Sequence, residues 1–449
     1  MELINKYISG TILPIAITIF AILFIIILKG VPLTKPKKLF SALFSKGKNG
    51  EGSPIRAVIF ALAGTLGVGN IVGVASAIAL GGAGAIFWMW ISAFLAMILK
   101  YCEVTLAILH RRKREGEYYG GAMYYMMDHF NSCHKYVMSI VFSSVFVFFC
   151  LLNAGTMGCI IQSNSISESF NMVFNIDKRA VGVFVAVLSA VVFFLKGKSL
   201  FGLCEKMIPI VSILYIGMCI SVMLFSIEDM SSSFHKIIAG AFSVESIGGG
   251  VWGFFASRAL RFGTVRGLFS NEAGCGTSPI AHATSNTDSP CKQGVLGVVE
   301  VFIDTIIVCT MTAFVVLKNE DLISRYSSQP IVMVAKSFER ELGGISSVIL
   351  TVCVFLFAFA TIICWGYYGK ECLYFLNKSK CLEKIYYLIY IFLIFLGSFV
   401  KMELVWDIAD FVVGAMTLMN LYVLWKMRNE IKNETFSYFN KKELPKGKL

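Results

Sequence analysis

The chain has 449 residues, of which 57% are hydrophobic and only 15% charged, and its formal net charge is +12. Soluble domains carry about 25% charged residues, so this composition excludes a soluble globular protein. Repeated apolar runs of about 20 residues indicate a helical protein that crosses a membrane many times. The loops on one side of the predicted spans hold about three times as many Lys and Arg residues as the loops on the other side. This is the positive-inside pattern for an outer N-terminus and a cytoplasmic C-terminus. No basic domain is left that could bind nucleic acid.

Eleven membrane spans are predicted, and their even spacing indicates a single transmembrane domain over residues 1–449. No small-residue cleavage site follows the first apolar run, so 11–29 is interpreted as an extra N-terminal helix and not as a cleaved signal. Residues 428–449 are predicted to form a cytoplasmic tail. The predicted spans are 11–29, 54–79, 84–109, 137–162, 180–196, 207–226, a broken region within 248–288, 293–317, 344–369, 383–400 and 403–426.

The segment ALAGTLGVGNIVGVASAIALGGAGAIFWMW (61–90) places glycines in the middle of a predicted span. A glycine costs a helix about 1 kcal/mol relative to alanine, and an unpaired backbone group in a bilayer costs several kcal/mol more. The run GVGN (67–70) therefore predicts a discontinuous helix, whose freed N–H groups suit a carboxylate and whose freed carbonyls suit a small cation such as Na+. The alternative role of these glycines is close helix packing through small residues. That role fits Gly81, Gly82 and Gly84 well, but it fits Gly67 and Gly69 beside Asn70 poorly.

The chain also contains an internal repeat. The five spans of 54–226 and the five spans of 251–427 cover nearly equal lengths, and GVGNIVGVA (67–75) corresponds to GCGTSPIAH (274–282). Because five is an odd number, the second half enters the membrane in the opposite direction, as in the inverted repeats of many secondary transporters. A second helix break is therefore predicted beside the second motif, with the glycines of 248–250 as an alternative position.

The sequence carries no recognisable signature of a metal, a cofactor or a catalytic site. The thirteen cysteines have no C-x-x-C spacing and the five histidines form no H-x-x-x-H pair, so the cysteines are interpreted as small buried hydrophobic residues. Ser270 offers a nucleophile with no base placed near it. An enzyme is therefore not predicted, and a channel is disfavoured because the chain carries its own internal pseudosymmetry.

Several motifs resemble the alanine/glycine:cation symporter family over most of the chain. They are GTLGVGNIVGVASAIALGGAGAIFWMW (64–90), GGAMYYM (120–126), RGLFSNEAGCGTSPIAHATS (266–285), VFIDTIIVCTMTAFVVL (301–317) and WGYYGKE (365–371). The resemblance implies an all-α polytopic fold of the leucine-transporter type, with a five-plus-five inverted repeat and two discontinuous helices. It also implies Na+-coupled, or in some members H+-coupled, uptake of alanine or glycine in a prokaryotic plasma membrane, with no other cofactor and no obligatory protein partner. Departures from the family pattern at Val68, Ala96 and 412–417 leave the preferred substrate open.

The resemblance further implies which residues hold the substrate. The N–H groups of Val68 and Gly69 would bind its carboxylate, Gln162 would reach its polar end, and Trp365 would cap the pocket. An interhelical hydrogen bond is the alternative for Gln162, and core packing is the alternative for Trp365. The second break would complete a cavity with an aromatic wall and room for a methyl group, through Phe269, Asn271, Ala273 and Gly274.

A sodium site is implied between the first break and the ninth span. Its ligands would be the carbonyls of Ala63 and Leu66, together with the Thr361 hydroxyl and the Asn70 side-chain oxygen. Asn70 could instead tie the half-helices together or cap one of them, and Thr361 could bond back to its own helix. The rival hypothesis is proton coupling, for which Glu272 is the candidate site.

The remaining charged residues are interpreted mainly as structural. Glu272 is predicted to pair with Arg266 or with the backbone, because unpaired charges are costly inside a membrane. The basic run HRRKR (110–114) is predicted as a cytoplasmic anchor, with a lipid-headgroup site as the alternative. Four acids of the later spans are assigned to helix packing or to an aqueous vestibule, with little weight as substrate ligands: Glu300, Asp304, Asp407 and Asp410.

Overall fold

The structure is a computed structural model that describes residues 5, 7–35, 54–194, 198–225, 227–242 and 258–440. Most of these residues lie in helices. In chain order the helices are α1 (Ile8–Ile27), α2 (Val31–Thr34), α3 (Pro54–Thr65), α4 (Val72–Gly81), α5 (Gly84–Leu109), α6 (Ala122–Ser132), α7 (Tyr136–Phe174), α8 (Lys178–Phe194), α9 (Lys198–Leu224), α10 (Ile227–Ala241), α11 (Arg258–Asn271), α12 (Ser278–His282), α13 (Pro290–Leu317), α14 (Glu320–Arg325), α15 (Pro330–Leu342), α16 (Ile345–Leu376), α17 (Lys380–Gly397), α18 (Met402–Lys426) and α19 (Arg428–Asn440). One antiparallel hairpin pairs β1 (Arg112–Arg114) with β2 (Glu117–Tyr119).

Seven of the described helices are long and apolar enough to cross a membrane, namely α1, α5, α7, α9, α13, α16 and α18. The pair α3 and α4 adds an eighth candidate span, which bends by 62° at its break. Helices α8 and α17 occupy the predicted spans 180–196 and 383–400, and α11 and α12 lie in the predicted broken region. Apart from the β-hairpin, the described fold is therefore helical and multi-pass, while the count of eleven spans and the inverted repeat stay predictions.

Helix α7 extends twelve residues beyond the predicted end of its span at 162, because its polar half is buried against α16 and α17. The Ser163 hydroxyl donates to the Ile394 carbonyl at 2.6 Å, and Asn164 Nδ2 donates to the Gly397 carbonyl at 3.1 Å. A hydropathy criterion ends a span where polar residues begin. A neighbouring helix that accepts their hydrogen bonds allows the same helix to continue.

The loops contain helices that the sequence analysis did not predict. They are amphipathic and not uniformly apolar, so a search for apolar runs passes over them. Helix α15 is an example, because Ile331, Val334 and Phe338 fall at helical spacing on one buried face. The other helices of this kind are α6, α10 and α14.

Helix α5 lies at the centre of the fold and packs against both α11 and α13. Gly263 of α11 and Gly294 of α13 approach it so closely that a Cβ atom on either would collide with α5. Gly84 meets the backbone of Gly240 in the same way, as small-residue packing predicts. Gly82 has another role, since its φ of +74° ends α4 in a conformation that favours glycine.

Candidate functional site

The predicted discontinuity of the first glycine-rich span is present. Helix α3 ends at Thr65, a short 3₁₀ turn spans Val68–Asn70, and α4 begins at Val72. A Cβ atom on Gly67 would lie 2.6 Å from Thr361 Oγ1, so only glycine allows α16 this close to the break. The freed Gly67 N–H donates to Asn70 Oδ1 at 3.2 Å.

The second break follows α11 and falls at the motif predicted from the repeat. The backbone leaves the helix after Asn271 and passes through positive φ at Glu272 (51°), Gly274 (83°) and Gly276 (81°) before α12 begins at Ser278. Two of these positions are glycines, which adopt this conformation without steric cost. The alternative break at 248–250 lies outside the described residues.

A hydrogen-bond network joins the two breaks. Asn70 Nδ2 donates to Ser270 Oγ at 2.9 Å and to Asp304 Oδ1 at 2.7 Å. The Ser270 hydroxyl donates to Asp304 Oδ2 at 2.7 Å, and Thr305 Oγ1 donates to the same oxygen at 2.8 Å. Asp304 therefore accepts hydrogen bonds from both breaks. This role was not predicted from the sequence, which assigned Asp304 to helix packing.

The predicted sodium ligands are only partly brought together. Thr361 Oγ1 lies 3.0 Å from the Ala63 carbonyl and 3.0 Å from the Phe357 carbonyl. The cross-helix contact and the bond to its own helix, which the sequence analysis treated as alternatives, therefore occur together. Leu66 is the first residue beyond the end of α3 on the same segment. The Asn70 side chain is not directed toward Thr361. Its oxygen accepts from the Gly67 N–H, and its amide nitrogen donates to Ser270 of the second break.

Two of the predicted substrate residues of the first repeat are in direct contact. The Val68 N–H donates to Gln162 Oε1 at 3.2 Å, and Gln162 Nε2 donates to the Met157 carbonyl at 3.0 Å. Gln162 thus makes the interhelical hydrogen bond that was predicted as its alternative role. The donor of this bond is the Val68 N–H, which was predicted to bind the substrate carboxylate. Gly69 presents no side chain beside them, and a Cβ atom there would lie 3.2 Å from the ring of Phe269.

Aromatic side chains close this region on two sides. The ring of Phe269 lies 4.8 Å from that of Trp406 of α18. Trp365 is fully buried, packs against Gly158 and lies 5.3 Å from the ring of Tyr368. Its indole Nε1 has no hydrogen-bond partner among the described residues.

The polar groups of the second break mostly stabilise the break itself. Asn271 Nδ2 donates to Thr305 Oγ1 at 3.1 Å, and Asn271 Oδ1 accepts from the Ala273 N–H at 3.0 Å. The Gly274 carbonyl accepts from Asn420 Nδ2 at 2.9 Å. These contacts hold the irregular backbone in place, which is what a broken helix in a membrane requires.

Arg266 and Glu272 were predicted to pair with each other or with the backbone, and the first of these alternatives is wrong. Arg266 Nη1 bonds Asp410 Oδ1 of α18 at 2.9 Å, and its guanidinium lies 4.3 Å from the centre of the Trp406 ring. Glu272 instead accepts from the Thr277 hydroxyl at 2.6 Å. Two residues six positions apart point to different sides of a helix, so Arg266 and Glu272 do not meet.

Loss of the Arg266–Asp410 ion pair is expected to slow transport. In the Asp410→Asn variant, α11 loses its charged contact with α18, and breaking a buried pair costs up to 3–5 kcal/mol. We expect uptake at saturating substrate to fall about 10-fold while the apparent affinity changes less than about 3-fold. The matched control is Asp407→Asn, one turn earlier on α18. Equal effects of the two variants would contradict a specific role for the pair.

A buried charged cluster connects α5, α12 and α13. Lys100 Nζ lies 3.3 Å from Glu300 Oε1 and 3.9 Å from Glu103 Oε1, and it also bonds the Ser278 hydroxyl. His282 Nε2 lies 2.7 Å from Glu300 Oε2. No role was predicted for Lys100 from the sequence. The sequence feature that could have indicated a buried ion pair is a lysine inside an apolar span with Glu103 three positions later.

The HRRKR run, which is predicted as a cytoplasmic anchor, contacts protein groups. Arg111 bonds the backbone carbonyls of Ser285 and Thr287, and Arg114 pairs with the buried Glu371 of α16 at 3.1 Å. Arg112 Nη2 donates to both carboxylate oxygens of Asp128 of α6, at 2.6 and 2.8 Å. The run thus connects the end of α5 to three other elements.

His110, at the start of this run, bridges two carboxylates. Its Nδ1 lies 2.9 Å from Asp128 Oδ2 and its Nε2 lies 3.0 Å from Glu430 Oε1 of α19. Burial by itself lowers the pKa of His110, but the hydrogen bonds with Asp128 and Glu430 outweigh burial and raise the pKa to about 9. The imidazolium therefore holds α6 and α19 together at neutral pH.

We expect this bridge to weaken in alkali. Because the pKa of His110 in the folded protein exceeds its ordinary value, its stabilisation is complete below about pH 6.5 and is lost as the pH rises through about 9. The melting temperature in detergent should fall by about 2 °C across this window, and His110→Gln should remove that part of the pH dependence. An identical decline in wild type and His110→Gln would contradict the bridge.

Comparison with known proteins agrees with the geometry. A profile of the Sodium:alanine symporter family matches residues 1–448. The sodium/alanine symporter AgcS of Methanococcus maripaludis is 32% identical, with 90% of this chain and 87% of that protein covered. The probable sodium/glutamine symporter GlnT of Bacillus subtilis is also 32% identical, with 98% of this chain and 91% of that protein covered.

Solved structures agree on the fold. The crystal structure of MhsT in complex with L-phenylalanine superposes with a TM-score of 0.53 at 11% identity, over 89% of this chain and 94% of that chain. At this identity the likeness concerns the fold alone, which is the leucine-transporter type expected from the motifs. The matching family profile and relatives are transporters and not enzymes. The chain belongs to the sodium:alanine symporter family.

Proposed function

We propose that the protein is a Na+-coupled symporter for alanine, glycine or a similarly small amino acid, and that it works by alternating access around the two helix breaks. The observation that carries this proposal is the meeting of the breaks, in which Asn70 of the first bonds Ser270 of the second and Asp304 of α13. Broken helices at such a position offer backbone N–H and carbonyl groups to a zwitterion and a small cation. Membership of the family supports the same proposal.

The proposed Na+ ligands are oxygen atoms beside the first break, namely the carbonyls of Ala63 and Leu66, the Thr361 hydroxyl and the Asn70 side-chain oxygen. The contact of Thr361 with Ala63 at 3.0 Å supports this set, because it brings two of the four oxygens together. A hydroxyl oxygen keeps lone pairs for a cation while its proton is donated elsewhere. Asn70 would join only after its oxygen leaves the Gly67 N–H.

The proposed substrate site lies on the other side of the break. The Val68 and Gly69 N–H groups would take the carboxylate, with Gln162 giving up its bond to Val68 as the substrate arrives. Phe269 approaches Gly69 closely and so favours a small substrate side chain. The remaining proposed lining comes from Trp365, Asn271, Ala273 and Gly274.

Proton coupling on the same fold is the second candidate. The observation that favours it is Glu272, whose Oε1 is buried without a hydrogen-bond partner among the described residues. The location proposed for either mechanism is a prokaryotic plasma membrane, with the N-terminus outside and the C-terminus in the cytoplasm. The distribution of Lys and Arg supports this orientation.

A competition experiment tests the substrate class. Purified protein in liposomes would take up labelled L-alanine with excess unlabelled L-alanine, D-alanine, glycine, L-glutamine or L-phenylalanine outside. We expect alanine and glycine to compete at least about 10-fold better than glutamine, and phenylalanine not to compete. Stronger competition by glutamine would overturn the small-substrate proposal and would agree with the name of the B. subtilis relative.

A further inference from the structure

Four carboxyl groups lie within the fold around the two breaks, and all are essentially inaccessible to solvent: Glu103, Glu272, Glu300 and Asp304. An ionised carboxylate in such a place is stable only if it is paired or accepts several hydrogen bonds. The four groups therefore provide a matched comparison. Lys100 is the buried ammonium among them.

Three of the four carboxyls accept at least two hydrogen bonds. Asp304 accepts on both oxygens, from Asn70, Ser270 and Thr305. Glu300 accepts on both oxygens as well, and its partners are Lys100, Ser278 and His282. Glu103 Oε2 accepts from the Gly276 N–H at 3.0 Å and from Asn420 Nδ2 at 2.9 Å. Glu103 Oε1 has no hydrogen-bond partner among the described residues, but the Lys100 ammonium lies 3.9 Å from it.

Glu272 differs from the other three, because it accepts one hydrogen bond and forms no ion pair among the described residues. The Thr277 hydroxyl donates to its Oε2 at 2.6 Å, and its Oε1 is buried without a partner among the described residues. Lys100 does not compensate, because its ammonium is bonded to Glu300 and Ser278. The backbone of Glu272 is also held at a φ of 51°, a conformation that costs a non-glycine residue about 1 kcal/mol or more.

We propose that Glu272 is a proton-binding site, which carries its proton on Oε1 in this conformation and releases it during the transport cycle. A proton satisfies a single oxygen, whereas a hard metal cation takes several oxygen ligands at once. The Thr277 bond is compatible with the neutral acid, since Oε2 then remains as a carbonyl acceptor. The step is an acid dissociation, in which the O–H bond of the carboxyl breaks and water accepts the proton.

The position of Glu272 explains why its proton would be labile. It is the first residue beyond α11. Its one side-chain donor among the described residues, Thr277, belongs to the segment that leads into α12. A movement of α12 that admits water would hydrate the carboxyl and favour its ionised form. The titratable groups around it come from four elements and include both charges: Lys100 on α5, Cys275 in the break, Glu300 and Asp304 on α13, and Cys364 and Tyr368 on α16.

Infrared spectroscopy tests the protonation directly and needs neither substrate nor Na+. The full-length protein at neutral pH should show the carbonyl stretch of a protonated carboxylic acid. That band should be lost in Glu272→Gln and retained in Glu103→Gln. A band that persists in Glu272→Gln, or is absent from folded wild type, would overturn the proposal. Because this measurement does not depend on transport, its failure is distinct from failure of the proposed function.

A second arm tests release during the cycle and rests on the proposed symport. Liposomes containing a trapped pH dye would receive Na+ and L-alanine on the outside. Wild type should change the internal pH upon alanine addition, and Glu272→Gln should lose at least about 90% of that change. Thr277→Val removes the donor to the ionised form, so it should move the pH profile of uptake upward. A wild type without proton movement, or a Glu272→Gln variant that keeps it, would overturn release from Glu272.

Discussion

Replacing Asn70 with alanine is expected to reduce amino-acid uptake at least about 100-fold. Asn70 Nδ2 donates to Asp304 Oδ1 at 2.7 Å and to Ser270 Oγ at 2.9 Å, and Asn70 Oδ1 accepts from the Gly67 N–H. A hydrogen bond to a charged group contributes about 1.5–3 kcal/mol, and each 1.4 kcal/mol is a factor of about ten. The variant would leave two helix breaks without their shared contact.

Initial uptake rates in liposomes, normalised to the reconstituted protein, measure this effect. The melting temperature in detergent separates loss of transport from loss of folding. The control is Asn171→Ala, since the Asn171 amide bonds a backbone carbonyl at the exposed end of α7. An Asn70→Ala variant with uptake within about 3-fold of wild type would contradict the role assigned to the network.

Replacing Thr361 with alanine should weaken the response to Na+. The Thr361 hydroxyl lies 3.0 Å from the Ala63 carbonyl, and its oxygen is one of the proposed ligands. We expect the Na+ concentration for half-maximal uptake to rise at least about 10-fold in Thr361→Ala, because a small cation loses one of few oxygens. Thr361→Ser keeps the hydroxyl and should stay within about 3-fold of wild type.

The control for this series is Thr351→Ala. Thr351 also lies on α16 and is buried, but it bonds Ser169 and the carbonyl of Ser347 away from the break. Uptake as a function of Na+ concentration at fixed pH gives the comparison. If Thr361→Ala kept the wild-type Na+ dependence, the proposed sodium site would be misplaced, even if the rate itself fell.

The positions of the helix breaks were predictable because local backbone chemistry determines them. Gly67 and Gly69 are poor helix formers in an otherwise apolar span, and Gly274 and Gly276 repeat that pattern in the second half. The structure adds what Gly67 makes room for, which is the hydroxyl of Thr361. Residue types alone therefore predict a break, and the element that packs into it comes from the three-dimensional structure.

Long-range pairs were not predictable from one sequence. Arg266 was assigned to nearby Glu272, but its partner is Asp410 of α18. Lys100 was left unassigned, although it lies 3.3 Å from Glu300. A single sequence gives the cost of each buried charge and so predicts that a partner exists. It does not give the packing of α5 against α13 or of α11 beside α18, which brings the partners together.

The most direct test of the central claim is Na+-driven uptake of labelled L-alanine into proteoliposomes. Na+ would be imposed outside against internal K+ at equal pH on both sides, and the assay would be repeated with only a pH gradient. We predict that alanine accumulates under the Na+ gradient, that the pH gradient alone is insufficient, and that accumulation is lost in Asn70→Ala and Thr361→Ala. Accumulation under the pH gradient alone, with no response to Na+, would contradict sodium coupling.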